Sequence, residues 1–340
     1  MSKPFLSLIL SSAFVIAGVS ASAQEQAPSS LPDLVRETLA GSSEALDRLS
    51  GLGVPSILEA RPLFGSEESA FSRYVRRVVE LELRRAAADA PGLRFHGQFA
   101  HLAAGGPAVA PALLAIFRDD DAEIAERRSA GYALGDLGDK AVAEELQRIA
   151  DDFLTEPWLE REAVYLLARL GDRRRVQKWI EASQKVTGRE LNTTNLSAII
   201  GAHTELGEIY YRIREYGQAM THHQRKLVLL QDLRLRVAPE LIGAVDEEIG
   251  LVRYNLACSS CLAGALEVTY EQLDRAIGSG AVTLEMVRND GDLAALRSDG
   301  RYAAWIAGHE ATLPRPEPKP PEPSTPQPEK PEAEVPTGGR

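Results

Sequence analysis

Apolar positions in this chain recur at helical rather than strand spacing. Tyr74, Val78, Val79 and Leu81 form one stripe of a helix predicted over 66–88, with Ser66 as its N-cap. Arg76, Arg77, Arg84 and Arg85 line its other side, next to Glu80 and Glu82, and read as a solvated, paired face. From Leu93 onward the pattern becomes periodic. Gly105, Gly138 and Gly171 stand 33 residues apart, each closing one apolar stretch and opening another. A glycine there ends a helix in the left-handed conformation at little cost. Second helices follow over Pro107–Phe117, Lys140–Ala150 and Arg173–Ser183. Strand-type alternation is scarce, so the chain reads as all-α. A fixed period of roughly 20–50 residues marks stacked helical pairs, an α-solenoid.

A first helical pair is expected over 32–64, interrupted at Gly51-Leu52-Gly53-Val54-Pro55, with its second helix running from Pro55 to Phe64. Arg127, Ala130, Leu134, Leu137, Gly138 and Asp139 follow the pattern Arg-x-x-Ala-x-x-x-Leu-x-x-Leu-Gly-Asp. The stretch Arg161–Asp172 follows it approximately. These residues resemble HEAT repeats, which implies helical pairs over 32–183.

A second repeat type begins near Leu191. Leu206-Gly207, Tyr210, Tyr216 and Ala219 resemble a tetratricopeptide repeat, and Leu256, Gly264 and Leu273 give a second match, with Thr269 at the usual helix-B alanine. Gly207 and Ala219 are expected where two helices touch. Leu206 and Leu256 are 50 residues apart, so the helices of 218–237 and 240–263 must be longer than standard. Asp292, Leu296, Arg297, Asp299 and Arg301 resemble the segment that closes many bacterial tetratricopeptide arrays, with Gly291 and Gly300 in place of proline. That resemblance implies repeats over 197–312 with a capping end, in which Arg297 and Arg301 pair with Asp292 and Asp299. Polar residues around Thr187-Gly188-Arg189 and Asn192–Asn195 suggest a boundary near 184–196.

The two ends read differently. Lys3, the apolar run Phe5–Val19 and Ala21-Ser22-Ala23 fit a secretory signal peptide over 1–23. Residues 24–31 are polar and expected to be disordered. From 313 to 340 Pro, Glu and Lys dominate, which predicts a disordered, extended tail. Export places the protein in the periplasm or outside the cell. No membrane span is expected after cleavage. The formal charge of −11 argues against a nucleic-acid partner.

Little in the sequence carries chemistry. There is no Gly-x-Ser-x-Gly elbow, phosphate loop or His-Glu-x-x-His motif. Asp119-Asp120-Asp121 lacks the spacing of a calcium loop and reads as turn chemistry. His222 and His223 are neighbours on one helix and diverge by about 100°, with His223 expected in the core and His222 exposed. Cys258 and Cys261 read as two small buried residues on one helix. No metal, cofactor or catalytic residue is expected. The favoured function is a non-catalytic scaffold that binds an envelope protein or peptide on a concave surface. Tyr211, Arg212 and Arg214 are the candidate contacts, because aromatic and Arg side chains dominate interface energetics. Tyr210 is expected in the core and Arg212 exposed. A hydrolase or lyase built on a helical array is the alternative.

Overall fold

The computed structural model describes residues 30–89, 99–152, 154–192 and 194–312. The expected signal peptide, most of the polar stretch after it and the Pro-rich tail lie outside these residues. The described residues are all-α, without a strand. Their helices are α1 (Leu31–Leu39), α2 (Ser43–Ser50), α3 (Ser56–Phe64), α4 (Glu68–Asp89), α5 (Val109–Arg118), α6 (Ile124–Leu137), α7 (Ala143–Asp151) and α8 (Pro157–Leu170). They continue with α9 (Arg174–Thr187), α10 (Leu196–Arg212), α11 (Tyr216–Arg234), α12 (Ile242–Leu262) and α13 (Leu266–Gly278), then α14 (Leu284–Asn289), α15 (Ala294–Arg297) and α16 (Tyr302–Thr312). Two compact units result, 30–89 with 99–144 and 145–312, divided inside α7. The polar stretch 184–196 lies within the second unit, where α9 packs on α10.

In the first unit, Ser30 caps α1 and Ser42 caps α2, each side chain accepting from a backbone N–H three residues on. The first helix thus starts one position before the expected 32, and the expected pair over 32–64 is three helices, because the chain turns at Gly41 (φ 95°) and Ser42 caps a second one. Leu49, Ile57, Phe64, Tyr74, Leu102, Leu113 and Phe117 are fully buried. Phe64 stacks on Tyr74 with centroids 5.6 Å apart, and the Tyr74 hydroxyl meets Ser56 Oγ at 2.6 Å inside this core. The repeat arginine has a clear role: Arg127 is buried, and its Nε donates to the Phe117 carbonyl at 3.2 Å, holding the turn between α5 and α6.

Gly105, Gly138 and Gly171 divide by role. Gly138 and Gly171 take positive φ (63° and 113°) and end α6 and α8 as expected. The aspartate after each glycine turns the chain toward the next helix: Asp139 caps a 3-10 turn over Lys140–Val142 by accepting from Ala141 N–H at 2.8 Å, and Asp172 accepts from the N–H of Arg174, the first residue of α9, at 3.2 Å. Gly105 departs from that role. Its neighbour Gly106 carries the positive φ of 73°, inside a 3-10 segment over Ala100–Ala108. Gly105 is a packing residue: a Cβ there would sit 2.9 Å from Ile57 Cδ1. The stretch Ala100–Arg118 is apolar enough to cross a membrane by length and composition, with a mean hydropathy of 1.6. It breaks at Gly106, and Leu102, Val109, Leu113, Ile116 and Phe117 are buried in the unit's own core.

In the second unit, α8 packs on α9, and from α9 to α13 each helix packs on the next. Gly207 and Ala219 sit at the α10–α11 contact, where a Cβ on Gly207 would lie 2.7 Å from the His223 ring. The 50-residue spacing is absorbed by α11 and α12, which run 19 and 21 residues. Leu227, Leu230, Ile249, Val252 and Leu256 form the core between them. Thr269, fully buried on α13, donates its hydroxyl to the carbonyls of Ala265 and of Ala257 on α12.

Candidate functional site

Three clusters of polar and aromatic side chains stand out, and their chemistry differs. The first is a charged cleft of about 540 Å³ in the first unit, lined by Arg76, Glu80, Arg84, Asp119 and Glu126 among others. Arg76 bridges Glu80 (2.8 Å) and Asp119, and Arg84 faces Glu126 at 3.5 Å. Asp119 also accepts from Asp121 N–H at 3.1 Å, so the triple-Asp segment is a turn. The Arg76 guanidinium, and then that N–H, lower the Asp119 carboxyl below its ordinary value. A general acid needs the opposite shift.

The second cluster is sealed. Asp290, 5% exposed, accepts from the Tyr254 hydroxyl, from the Cys258 thiol at 3.5 Å and from Asp292 N–H at 2.9 Å. Arg297 donates to the Asp290 carbonyl, and Cys261 Sγ lies against the backbone of Ala295 and Leu296. Ligand-type atoms of Cys258, Asp290 and Asp292 lie within 4.8 Å of one another, and donors already occupy Asp290 on both oxygens. The arrangement latches the end segment onto α12. Both thiols are free and buried. Arg301 pairs with Asp299 at 2.9 Å, as expected, and also with Glu267.

The third cluster covers one face of α8–α11. On α8, Arg161 donates to the Tyr165 hydroxyl at 2.9 Å and to Glu205 of α10. Its guanidinium also lies over the Tyr165 ring and over Trp179 of α9, 5.6 and 5.2 Å from the centroids. Tyr165 meets Trp179 edge-on at 5.8 Å, and burial, partly offset by Arg161, pushes its phenol up to about 12. Arg212 stacks over the other part of this aromatic group, 5.0 Å from the Tyr165 centroid, and pairs with Glu162 and with Glu208 at 3.4 Å. Glu208 and Arg161 stay substantially exposed.

The three residues expected to contact a partner lie in different surroundings. Arg212 is not exposed: its side chain is 13% accessible and is spent on Glu162, a brace between α8 and α10. Tyr211 is half-buried, edge-on to Tyr216 at 5.9 Å and against the α12–α13 core. Arg214 is exposed in the α10–α11 turn at φ 65°, the one non-glycine with positive φ among the described residues. Tyr210 is in the core as expected.

His222, expected exposed, is half-buried. It stacks on Tyr210 with centroids 5.5 Å apart and planes 7° apart. Its Nδ1 lies 3.0 Å from Nδ1 of His203 on α10. His223 turns the other way, into the core under Gly207. Burial lowers all three imidazoles, His222 and His223 to about 4. The 19-residue separation of His203 and His222 hid this pair, as did Trp179 and Tyr165, which come from different helices. Helical phase around Gly207 and Ala219 is the signal that finds them, once α10 and α11 are set side by side.

The chain matches no family model, no curated protein and no solved structure.

Proposed function

We propose that the protein is a non-catalytic scaffold, an α-solenoid of HEAT-like and then tetratricopeptide-like pairs, exported to the bacterial envelope. It binds a protein or peptide partner on the face carried by α8, α9 and α10. The observation behind this reading is the half-exposed Arg161 guanidinium over Trp179, seated on the buried Tyr165 ring, flanked by Glu205 and Glu208 and braced from beneath by Arg212. A rigid aromatic and arginine surface loses little side-chain entropy on binding and is the composition of interface hot spots. Its acidic rim favours a partner segment bearing Lys or Arg. The alternative, a hydrolase or lyase, has no observation of its own, since Asp119 in the charged cleft is lowered by its arginine.

The test is photo-cross-linking in an envelope extract, with the reactive group at Glu208, repeated with Trp179→Ala and with Glu205→Lys. The expected outcome is one dominant adduct, lost in both variants while their helical content is unchanged. An adduct kept in both leaves the partner beside Glu208 but independent of Trp179 and Glu205, and overturns the recognition proposed here. The absence of any adduct sinks the scaffold reading.

A further inference from the structure

We infer that His203 and His222 form an open binding site for a divalent transition-metal ion of borderline softness, such as nickel, copper or zinc. The geometry carries this. The two Nδ1 atoms, on different helices, lie 3.0 Å apart. Two imidazole nitrogens bound at about 2.1 Å are about 3.0 Å apart at adjacent square or octahedral positions, and about 3.4 Å apart in a tetrahedron. The pair already has the spacing of one edge of such a coordination sphere.

The rings are also held. His222 is fixed by its parallel stack on Tyr210, a buried residue whose hydroxyl is hydrogen-bonded by the Gln184 side chain. Such outer support is what orients metal-binding imidazoles. Both residues are half-buried, unlike the sealed Asp290 cluster.

The donor set also fixes selectivity. Two neutral nitrogens without a carboxylate suit borderline ions, whereas magnesium and calcium demand oxygen. The Arg225 charge that acts on His203 works against any cation, so affinity is moderate and depends on both rings. The site does not depend on the scaffold reading.

The competing account of the 3.0 Å contact is an N–H···N hydrogen bond, with a proton where the ion would sit. Untagged full-length protein titrated with Ni²⁺, Zn²⁺ and, for comparison, Mg²⁺ separates the two. Calorimetry is expected to show one Ni²⁺ or Zn²⁺ per chain and no Mg²⁺. His203→Gln and His222→Gln should each weaken binding at least about 10-fold. His101→Gln, on an exposed histidine of the first unit, should leave it unchanged. Imidazole ¹⁵N spectra of the unaltered protein should show the Nδ1 resonances of His203 and His222 moving together on adding Zn²⁺, a readout that does not rely on the variants folding. No saturable Ni²⁺ or Zn²⁺ binding, binding retained in both variants, or unmoved Nδ1 resonances would each overturn the inference and leave a hydrogen bond alone.

Discussion

Two clusters of titratable side chains in the second unit join neighbouring helices in opposite ways. Around Asp290 the acceptors and donors are matched, and the cluster is closed to water. Around His203 and His222 the rings satisfy each other at one nitrogen each and keep a partly open side. A buried polar cluster that is fully satisfied specifies one packing and leaves no capacity for a ligand. A half-buried pair whose single contact can be exchanged for an ion keeps that capacity. The contrast separates residues that hold the fold from residues free to act.

The largest expected effect comes from opening the closed cluster. Asp290→Ala strands the Tyr254 hydroxyl, the Cys258 thiol and Asp292 N–H without their acceptor. The expected loss is about 3–5 kcal/mol in urea unfolding. A loss under about 1 kcal/mol would mean that the latch is not what holds the end segment, and the contrast would fail.

The next effect belongs to the histidines. His223 is buried, with Lys226 and His222 as its charged or titratable neighbours, and titrates in the fold at about 4. Its folded value is depressed below the ordinary 6.5. Above pH 6.5 both states are neutral and stability is complete. As pH falls, the unfolded chain takes a proton that the fold refuses, so stability drops until about pH 4. The full term is about 3 kcal/mol. Unfolding measured from pH 7 to pH 4 should show this slope, and His223→Gln should make it shallower, leaving the part that His203 and His222 supply. An unchanged slope would assign the acid sensitivity to other groups.

The smallest effect probes packing beside that ring. Gly207→Ala places a Cβ 2.7 Å from the His223 imidazole and should cost about 1–3 kcal/mol. Because the residues touch, combining it with His223→Gln should give much less than the sum of the two single losses. Additive losses would show that Gly207 is kept for some other contact.

Much of the fold was legible because helical periodicity and end signals are local. The Leu-Gly-Asp pattern marked where α6 and α8 stop and where the next helix starts, and Gly207 with Ala219 marked the α10–α11 contact. Gly105 misled, since a glycine can be selected for packing as well as for φ, and spacing does not distinguish the two. The site was less legible. Arg212 sits at an exposed-looking phase, but Glu162 and Tyr165 from another helix draw it in. His203, Trp179 and Glu205 are brought to their partners by packing between helices, and no motif spacing encodes that.

The two cysteines turn the end of the protein into a timer. Cys258 and Cys261 face the end segment from α12, both nearly inaccessible, and burial raises both thiols, Cys258 most. A thiol reagent can reach them only when α14 and α15 lift away. With reagent so concentrated that labelling outpaces closing, the labelling rate measures how often this segment comes undone while the rest stays folded. The closing segment therefore reports its own fraying through covalent chemistry, with no probe attached.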